Sequence, residues 1–202
     1  MSNKRDVLRL GIDIGSTTIK LVILDESNDL IYRKYERHYS NIKSKLAEIL
    51  LEVSDRLEGK ILRPIFTGSG SMMIASKIGL PFVQEVMATT HGLKVLYPNV
   101  DVAIELGGED AKIVYLNNGI EQRMNGSCAG GTGSFIDQMA KLLYVDAKGL
   151  NELAKSYSRI YPIAARCGVF AKTDVQPLIN EGVDKADIAV SILQAVVVQT
   201  LS

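Results

Sequence analysis

The chain has little that would suit it to nucleic acids, membranes or secretion. It contains no Trp and only four Phe among 202 residues, and its formal net charge is zero. Scarce aromatic rings and the lack of excess positive charge argue against a nucleic-acid-binding protein. No run of about 18 apolar residues occurs, which argues against a membrane span. The first residues, MSNKRDVLRLGIDIG, lack the apolar segment of a signal peptide. We therefore expect a cytoplasmic protein with neither nucleic acid nor membrane as a partner.

Cysteine is also scarce, with only Cys128 and Cys167 present. In a secreted protein two cysteines would suggest one disulfide, but nothing else in the sequence indicates secretion. Composition alone favours two small apolar side chains buried in a core.

Apolar residues make up 47% of the chain, which is enough to bury the core of one large domain or two small ones. The apolar periodicity predicts strands and helices in alternation, an α/β pattern. Predicted strands cover 7–15, 17–25, 30–38, 63–70 and 101–108, and a hairpin with an Asn-Asn-Gly turn covers 110–125. Predicted helices cover 41–59, 71–79, 82–98, 132–144, 146–158 and 184–202, and 159–176 is predicted to be irregular. His38, at the end of a strand with alternating charges, is predicted to face solvent.

An internal repeat is the main organising feature. With a shift of 92 residues, IDIGSTTIKLVIL (12–24) overlays IELGGEDAKIVYL (104–116) without a gap. Two strands can match by chance in their apolar positions, but a shared acid, glycine and lysine are much harder to match by chance. The repeat predicts two similar α/β lobes that face each other, 1–98 and 99–202.

Each copy of the repeat places a carboxylate at a strand end, followed by a tight turn of small or polar residues. Backbone N–H groups in such turns can approach phosphate oxygens closely. A single D-x-G would be read as a strand terminator, but two copies in register favour a polyphosphate site. The predicted cofactor-binding residues are Asp13, Gly15, Ser16, Thr17, Thr18 and Lys20 in the first copy and Gly107, Gly108 and Asp110 in the second. Since carboxylates repel polyphosphate, we expect Mg²⁺ near Asp13 and Glu105, held partly through water.

GIDIGSTTIK and IELGGEDAK resemble the two phosphate loops of the actin, sugar kinase and Hsp70 ATPase superfamily. The resemblance covers nearly the whole chain. It implies two RNase H-like lobes that close on ATP or ADP.

Two further segments, NGSCAGGTGSFIDQMA (125–140) and AARCGVFAKTDV (164–175), resemble the activators of 2-hydroxyacyl-CoA dehydratases, a family that includes the ATPase subunits of benzoyl-CoA reductase. This resemblance implies an ATPase that passes one low-potential electron to a dehydratase or reductase. It implies a homodimer that shares one [4Fe–4S] cluster, with Cys128 and Cys167 as the ligands from each subunit. An electron donor such as ferredoxin or flavodoxin would then be a second partner. The cysteine count agrees, because four thiolates are needed and one chain has two.

The glycine-rich stretch and the second turn complete the expected site. Gly131, Thr132 and Gly133 are expected near the nucleotide, where the glycines let a helix start pack tightly. Glu105 and Glu109 are the expected catalytic residues. Glu109 would orient the attacking water, and the alternative is that it is a surface charge that caps the turn. The form ELGGEDAK departs from the simple activators, which carry Asp and Gln in place of the two glutamates, and resembles the long multidomain relatives. This departure leaves the identity of the partner open.

The superfamily also holds adenosine with a glycine-rich motif that follows the helix placed here at 184–202. The second lobe is therefore expected to be incomplete at its C-terminal end, and the isolated chain to be weakly active.

Two other functions fit the same fold. A small-molecule kinase, for example for an amino sugar, would need an aspartate base near a substrate hydroxyl, and Asp110 is already expected to serve the phosphate turn. A nucleotide-gated scaffold without redox chemistry would resemble the filament or chaperone members of the superfamily.

Overall fold

The computed structural model describes residues 6–117, 121–124, 130–164 and 167–201. The chain divides into two compact units, Met1–Asn99 and Val100–Ser202. Each unit combines a β-sheet with helices, so the predicted α/β class is confirmed.

The first unit is built on a mixed sheet. Its strands are β1 (Val7–Ile14), β2 (Thr18–Leu24), β3 (Leu30–Arg37) and β4 (Ile61–Thr67). Within the described residues their order is β3-β2-β1-β4, with β1, β2 and β3 forming an antiparallel meander and β4 lying parallel to β1. The ends of β1 and β4 therefore meet at one edge of the sheet, beside the turn between β1 and β2.

Alternation along β1 explains why these residues form the central strand. Leu8, Leu10, Ile12 and Ile14 are buried, and the residues between them are half-buried. Side chains at every second position of a strand share one face, and full burial of each large aliphatic side chain contributes about 1.5–3 kcal/mol. Burial of this face fixes the register of β1 and so the position of Asp13 near its end.

The predicted helix over 41–59 is wrong as a single element. The structure has α1 (Ile42–Glu52) and a short α2 (Ser54–Leu57), separated at Val53. The Ser54 hydroxyl donates to the Leu51 carbonyl at 2.8 Å, and such local bonds compete with the helical ladder. After β4, the helices α3 (Met72–Ile78) and α4 (Glu85–Leu96) complete the unit.

The second unit begins with an antiparallel sheet. The strands β5 (Val102–Leu106), β6 (Ala111–Tyr115) and β7 (Glu121–Met124) pair in that order. The predicted hairpin over 110–125 is confirmed in its two strands, while residues 118–120 of its turn lie outside the described residues.

Helices make up the rest of the second unit. They are α5 (Gly133–Leu142), α6 (Ala147–Ala154), α7 (Gly168–Asn180) and α8 (Lys185–Leu201). Their core includes the fully buried side chains of Phe135, Leu150, Ile188 and Ile192.

The predicted irregular region over 159–176 is wrong from Gly168 onward, where α7 begins. Ala171 and Val175 of α7 are fully buried, and Pro177 lies within the helix. Tertiary burial of an apolar face stabilises most helices in proteins, and here it outweighs the weak local signal.

In the part of the chain that the structure describes, no helix combines the length and apolar character needed to cross a membrane.

Candidate functional site

Two hairpin turns carry half of the predicted site residues. We call Gly15–Thr18 turn 1 and Gly107–Asp110 turn 2. In turn 1 the Gly15 N–H donates to the Thr18 carbonyl at 3.0 Å, and in turn 2 the Gly107 N–H donates to the Asp110 carbonyl at 2.8 Å. The same backbone hydrogen bond thus recurs after 92 residues.

Strand register agrees with the turns. Asp13 pairs with Lys20 across β1 and β2, and Glu105 pairs with Lys112 across β5 and β6. The acid, glycine and lysine that match in the sequence therefore occupy equivalent positions in the two hairpins. This agreement supports the interpretation of the repeat as a duplicated structural unit.

The lysines of both copies lie near carboxylates. Lys20 Nζ is 2.6 Å from Asp13 Oδ2 and 5.6 Å from the centre of the Tyr35 ring. Lys112 is buried, with its Nζ 3.4 Å from Asp110 Oδ2 and 3.9 Å from Glu105 Oε1. The first pair is therefore a direct ion pair, and the second is a looser cluster of one cation between two acids. Glu109 is exposed at the tip of turn 2.

The second oxygen of the first carboxylate is in an unusual position. Within the described residues, Asp13 Oδ1 and Thr67 Oγ1 are buried and have no hydrogen-bond partner. Asp13 and Thr67 are adjacent in the register of β1 and β4. A buried oxygen without a partner costs about 1–3 kcal/mol, so these two atoms are suited to a water or ion that arrives with a ligand. Carboxylate oxygens also bind hydrated Mg²⁺ in proteins.

Gly68 forms the wall beside Asp13. Its φ is +91°, and a methyl group at this position would lie 2.4 Å from both Asp13 Oδ1 and the Ile14 carbonyl oxygen. Only glycine fits here, for reasons of both conformation and space. The sequence prediction of a strand over 63–70 did not assign Gly68 to the site. The signal that could have found it is the parallel pairing of β1 with β4.

His38 also lies beside turn 1, and its predicted exposure is wrong. It is 4% exposed, with its Nε2 atom 3.1 Å from the Gly15 carbonyl oxygen. The backbone N–H of His38 donates to the Thr17 carbonyl at 3.2 Å. Local alternation along β3 gives no sign of these contacts, because they depend on the neighbouring strand.

The start of α5 is tied to turn 2. The N–H groups of Gly133 and Ser134 donate to the carbonyls of Gly107 and Gly108 at 2.7 and 3.1 Å. Thr132 is fully buried, and its side chain caps α5 by accepting from the Phe135 N–H at 3.3 Å. The N–H of Gly133 is therefore bonded to protein and not directed at a ligand.

Gly131 allows close packing of the segment just before α5 against α8. Its φ is +79°, and a methyl group there would lie 3.0 Å from the Gln199 side chain on α8. This agrees with the expectation that the glycines let the helix start pack tightly.

Cys167 is a half-buried free thiol at the start of α7, where it occupies the N-cap position. The next residue, Gly168, lies against α5: a methyl group on it would be 3.7 Å from Phe135 and from Gln138 Oε1. Cys128 lies outside the described residues. Among those that are described, no group of three or more His, Cys, Asp or Glu side chains has an arrangement that could hold a metal ion.

The segment that leads to Cys167 is bonded to side chains of two helices. Asp187 on α8 accepts the N–H groups of Ser158 and Arg159 at 2.7 and 2.9 Å. Further along the segment, Ser191 Oγ accepts the Tyr161 N–H at 2.8 Å. Asp174 on α7 accepts the Ala164 N–H, also at 2.8 Å. The hydrogen bonds from Ser158 and Arg159 hold the pKa of Asp187 below its ordinary value.

Comparison with known proteins places these features in a family. The chain matches the family model described as BadF/BadG/BcrA/BcrD ATPase over residues 10–200. It is 30% identical over 194 residues to the (R)-2-hydroxyglutaryl-CoA dehydratase activating ATPase of Acidaminococcus fermentans, covering 94% of this chain and 74% of the relative. It is also 30% identical over 188 residues to the 2-hydroxyisocaproyl-CoA dehydratase activator of Clostridioides difficile, covering 91% of this chain and 70% of the relative.

Solved structures give the same picture. The crystal structure of component A of the Acidaminococcus fermentans dehydratase aligns with a TM-score of 0.84 at 30% identity, covering 96% of this chain and 76% of that one. The ADPNP-bound activator of the 2-hydroxyisocaproyl-CoA dehydratase from Clostridium difficile aligns with a TM-score of 0.86 at 28% identity, covering 96% of this chain and 74% of that one.

Proposed function

The chain belongs to the BadF/BadG/BcrA/BcrD ATPase family, and we propose that it is an ATP-dependent activator of a 2-hydroxyacyl-CoA dehydratase or a related reductase. In this role it uses ATP hydrolysis to deliver one low-potential electron to its partner enzyme. Relatives named as a dehydratase activating ATPase and as a dehydratase activator support the activator role.

The observation that carries the proposal is the duplicated turn. Turn 1 and turn 2 share a backbone hydrogen bond, a register and a carboxylate–lysine pair. Phosphoryl transfer depends almost entirely on positioning and on charge stabilisation. Two short turns rich in backbone N–H groups, each next to an acid and a lysine, supply both.

The residues of each turn have distinct parts in ATP hydrolysis. The backbone and hydroxyls of Ser16, Thr17 and Thr18, together with Lys20, bind phosphate oxygens. Asp13 and Glu105 would hold Mg²⁺ through water, and the ion would neutralise charge on the phosphates. Asp13 Oδ1 has no partner among the described residues, which suits this role. Glu109, exposed at the tip of turn 2, orients the attacking water.

The two cysteines are proposed to hold half of an iron–sulfur site. Cys167 suits a cluster ligand because it is a free, half-buried thiol at a helix N-cap, where N–H groups and the helix dipole stabilise thiolate. With Cys128 it gives two thiolates per chain, and a homodimer completes the four that a [4Fe–4S] cluster needs. Such a cluster would supply one-electron transfer, with ferredoxin or flavodoxin as the electron donor and the cytoplasm as the location.

Helix α5 offers a path from turn 2 to Cys167. Its first residue, Gly133, is bonded to turn 2, and its residues Phe135 and Gln138 lie against Gly168, next to Cys167. A change at turn 2 on hydrolysis would therefore move the start of α7 through α5. Coupling of this kind needs two states that differ in nucleotide affinity.

We also propose that both units are RNase H-like lobes. Each unit opens with a meander of three antiparallel strands, β1, β2 and β3 in the first and β5, β6 and β7 in the second. Asp13 and Glu105 occupy equivalent positions in these meanders, paired with Lys20 and Lys112.

Anaerobic reconstitution with iron and sulfide tests the function. The wild type should be a brown homodimer with about four irons and four sulfides per dimer, and its ATPase should respond to a dehydratase partner. Cys128→Ser and Cys167→Ser should each abolish the cluster while MgATP binding persists. A full cluster in either variant would exclude the proposed ligand set. Release of ADP that depends on a sugar would instead indicate a kinase, and iron-free protein whose self-association depends on ATP would indicate a scaffold.

A further inference from the structure

His38 connects β3 to turn 1 with its ring and its backbone. Its Nε2 atom is 3.1 Å from the Gly15 carbonyl oxygen, and its Nδ1 atom is 3.0 Å from the Ser40 nitrogen. A backbone N–H can only donate and a carbonyl can only accept. Nδ1 is therefore the acceptor, and Nε2 carries the ring proton and donates to Gly15. The neutral ring satisfies both partners at once.

The residues after His38 have a strained backbone. Tyr39 and Ser40 have φ values of +46° and +63°, a region that favours glycine. Each such residue costs roughly 1–2 kcal/mol, and strain of this kind persists only where surrounding structure enforces it. Here the Ser40 N–H bonds the His38 ring, and the Asn41 N–H donates to the His38 carbonyl at 2.7 Å. We call His38–Asn41 the histidine turn.

The contacts of His38 set two peptide planes in turn 1. A peptide unit is planar, so a bond to the Gly15 carbonyl also fixes the direction of the Ser16 N–H. The bond from the His38 N–H to the Thr17 carbonyl does the same for the Thr18 N–H. Both of these N–H groups belong to the turn that we propose binds phosphate.

The duplicated hairpin gives an independent comparison. Gly107 is the counterpart of Gly15 in the repeat, and its carbonyl accepts the Gly133 N–H at 2.7 Å. The equivalent carbonyl is thus held in both copies, by a helix start in one and by a histidine ring in the other. Two different donors at one position of a repeat indicate that the position itself must be fixed.

We propose that His38 is a positioning residue that fixes the geometry of turn 1 for a phosphate ligand through its bond to the Gly15 carbonyl. The proposal rests on the proposed function only in naming the ligand. The strained histidine turn is what brings the ring to this place.

Two conservative variants separate the two ring contacts. In His38→Gln the side-chain amide can reach the place of Nε2 and donate to Gly15, but the acceptor for Ser40 is lost. In His38→Asn the side-chain oxygen can accept from Ser40, but the donor to Gly15 is lost. The same two substitutions at His91, exposed on α4, are the matched controls.

MgATP affinity, measured by calorimetry, is the first readout, with thermal unfolding measured on the same samples. Loss of one buried hydrogen bond that positions the ligand site should weaken affinity about tenfold in His38→Asn. The MgATP affinity of His38→Gln should stay within about threefold of the wild-type affinity. We expect this difference between the two variants even where they unfold at the same temperature. Equal affinity losses in the two variants, or none in His38→Asn, would overturn the proposal.

Amide exchange of residues 12–18 without nucleotide is the second readout, and it separates this proposal from the ATPase assignment. Exchange should be faster in His38→Asn than in His38→Gln or wild type. If wild type fails to bind MgATP, the proposed function fails, and exchange alone then decides whether His38 fixes turn 1. Equal exchange in both variants overturns that role.

Discussion

A methyl group on Gly68 would lie 2.4 Å from Oδ1 of Asp13. The backbone that follows β4 therefore forms a wall against the carboxylate at the end of β1, and no side chain larger than hydrogen fits between them. This contact gives Asp13 one defined position next to turn 1.

Gly68→Ala should destabilise the protein by about 2–4 kcal/mol, because it adds a clash with backbone atoms to left-handed strain. Gly79→Ala is the matched control, since Gly79 has φ +67° and its added methyl would meet nothing within 4 Å. The free energy of unfolding of this control should fall by only about 1 kcal/mol. Urea unfolding measures both, and equal losses would show that Gly68 is not in close contact with Asp13.

Asp13→Asn should reduce the rate of ATP hydrolysis on the order of a hundredfold, because it removes a fixed charge from the proposed phosphate site. The variant should also need more Mg²⁺ for half-maximal activity. Asp6→Asn is the control: it makes the same change at the residue preceding β1, where Asp6 is exposed and paired with Lys60. Phosphate release at varied Mg²⁺ checks the prediction, and unchanged Mg²⁺ dependence would exclude Asp13 from the metal site.

Glu109→Gln should lower kcat by about 10²-fold with little change in KM, as expected when a group orients water in the transition state without binding the ground state. Glu121→Gln, exposed on β7, should leave kcat unchanged. Steady-state kinetics separate the two constants. A rise in KM at constant kcat would instead make Glu109 a binding residue.

Asp187→Asn should lower stability at neutral pH, since the Asp187 carboxylate accepts two backbone N–H groups. The pKa of Asp187 is lowered from its ordinary 3.8, so its contribution is present above that pH and is lost as pH falls through the lower folded value. The difference between wild type and variant should therefore shrink below pH 3.8. Unfolding curves at several pH values test this, with Asp29→Asn, an exposed site, as control. A difference that stays constant down to pH 2 would contradict it.

Gly92→Ala should stabilise the protein by about 0.5–1 kcal/mol, because Gly92 lies inside α4 and alanine has the higher helix propensity. A methyl group there would meet nothing within 4 Å. Gly149→Ala in α6 should have the opposite effect, since its methyl would lie 2.8 Å from the Val145 side chain. Thermal unfolding compares the two, and a loss of stability in Gly92→Ala would contradict the helical assignment.

Both hairpins could be predicted from the sequence because their signals are local. Asp13, Gly15 and Lys20 fall within eight positions of one another, and strand alternation sets which of them share a face. The repeat at 104–116 then doubled the signal. Turn geometry and register follow directly from such short patterns.

The parts that sequence reasoning missed depend on contacts between distant segments. Gly68 reaches turn 1 only because β4 pairs with β1 in parallel, a pairing between distant segments that has no local signature. His38 reaches it through a contact between its ring and the Gly15 carbonyl, 23 residues away in the sequence. Helix α7 was missed for a similar reason, because the burial of Ala171 and Val175 against other helices stabilises it.

The segment before Cys167 has a consequence for the order of events during synthesis. Ser158, Arg159 and Tyr161 are bonded to Asp187 and Ser191, which follow them by about thirty residues on α8. The ribosome synthesises these acceptors after Cys167 itself. The segment that precedes Cys167 therefore cannot form these hydrogen bonds until α8 has emerged and packed in place. A chain stalled before residue 187 would lack both acceptors, so the segment that precedes Cys167 would not yet be held in place.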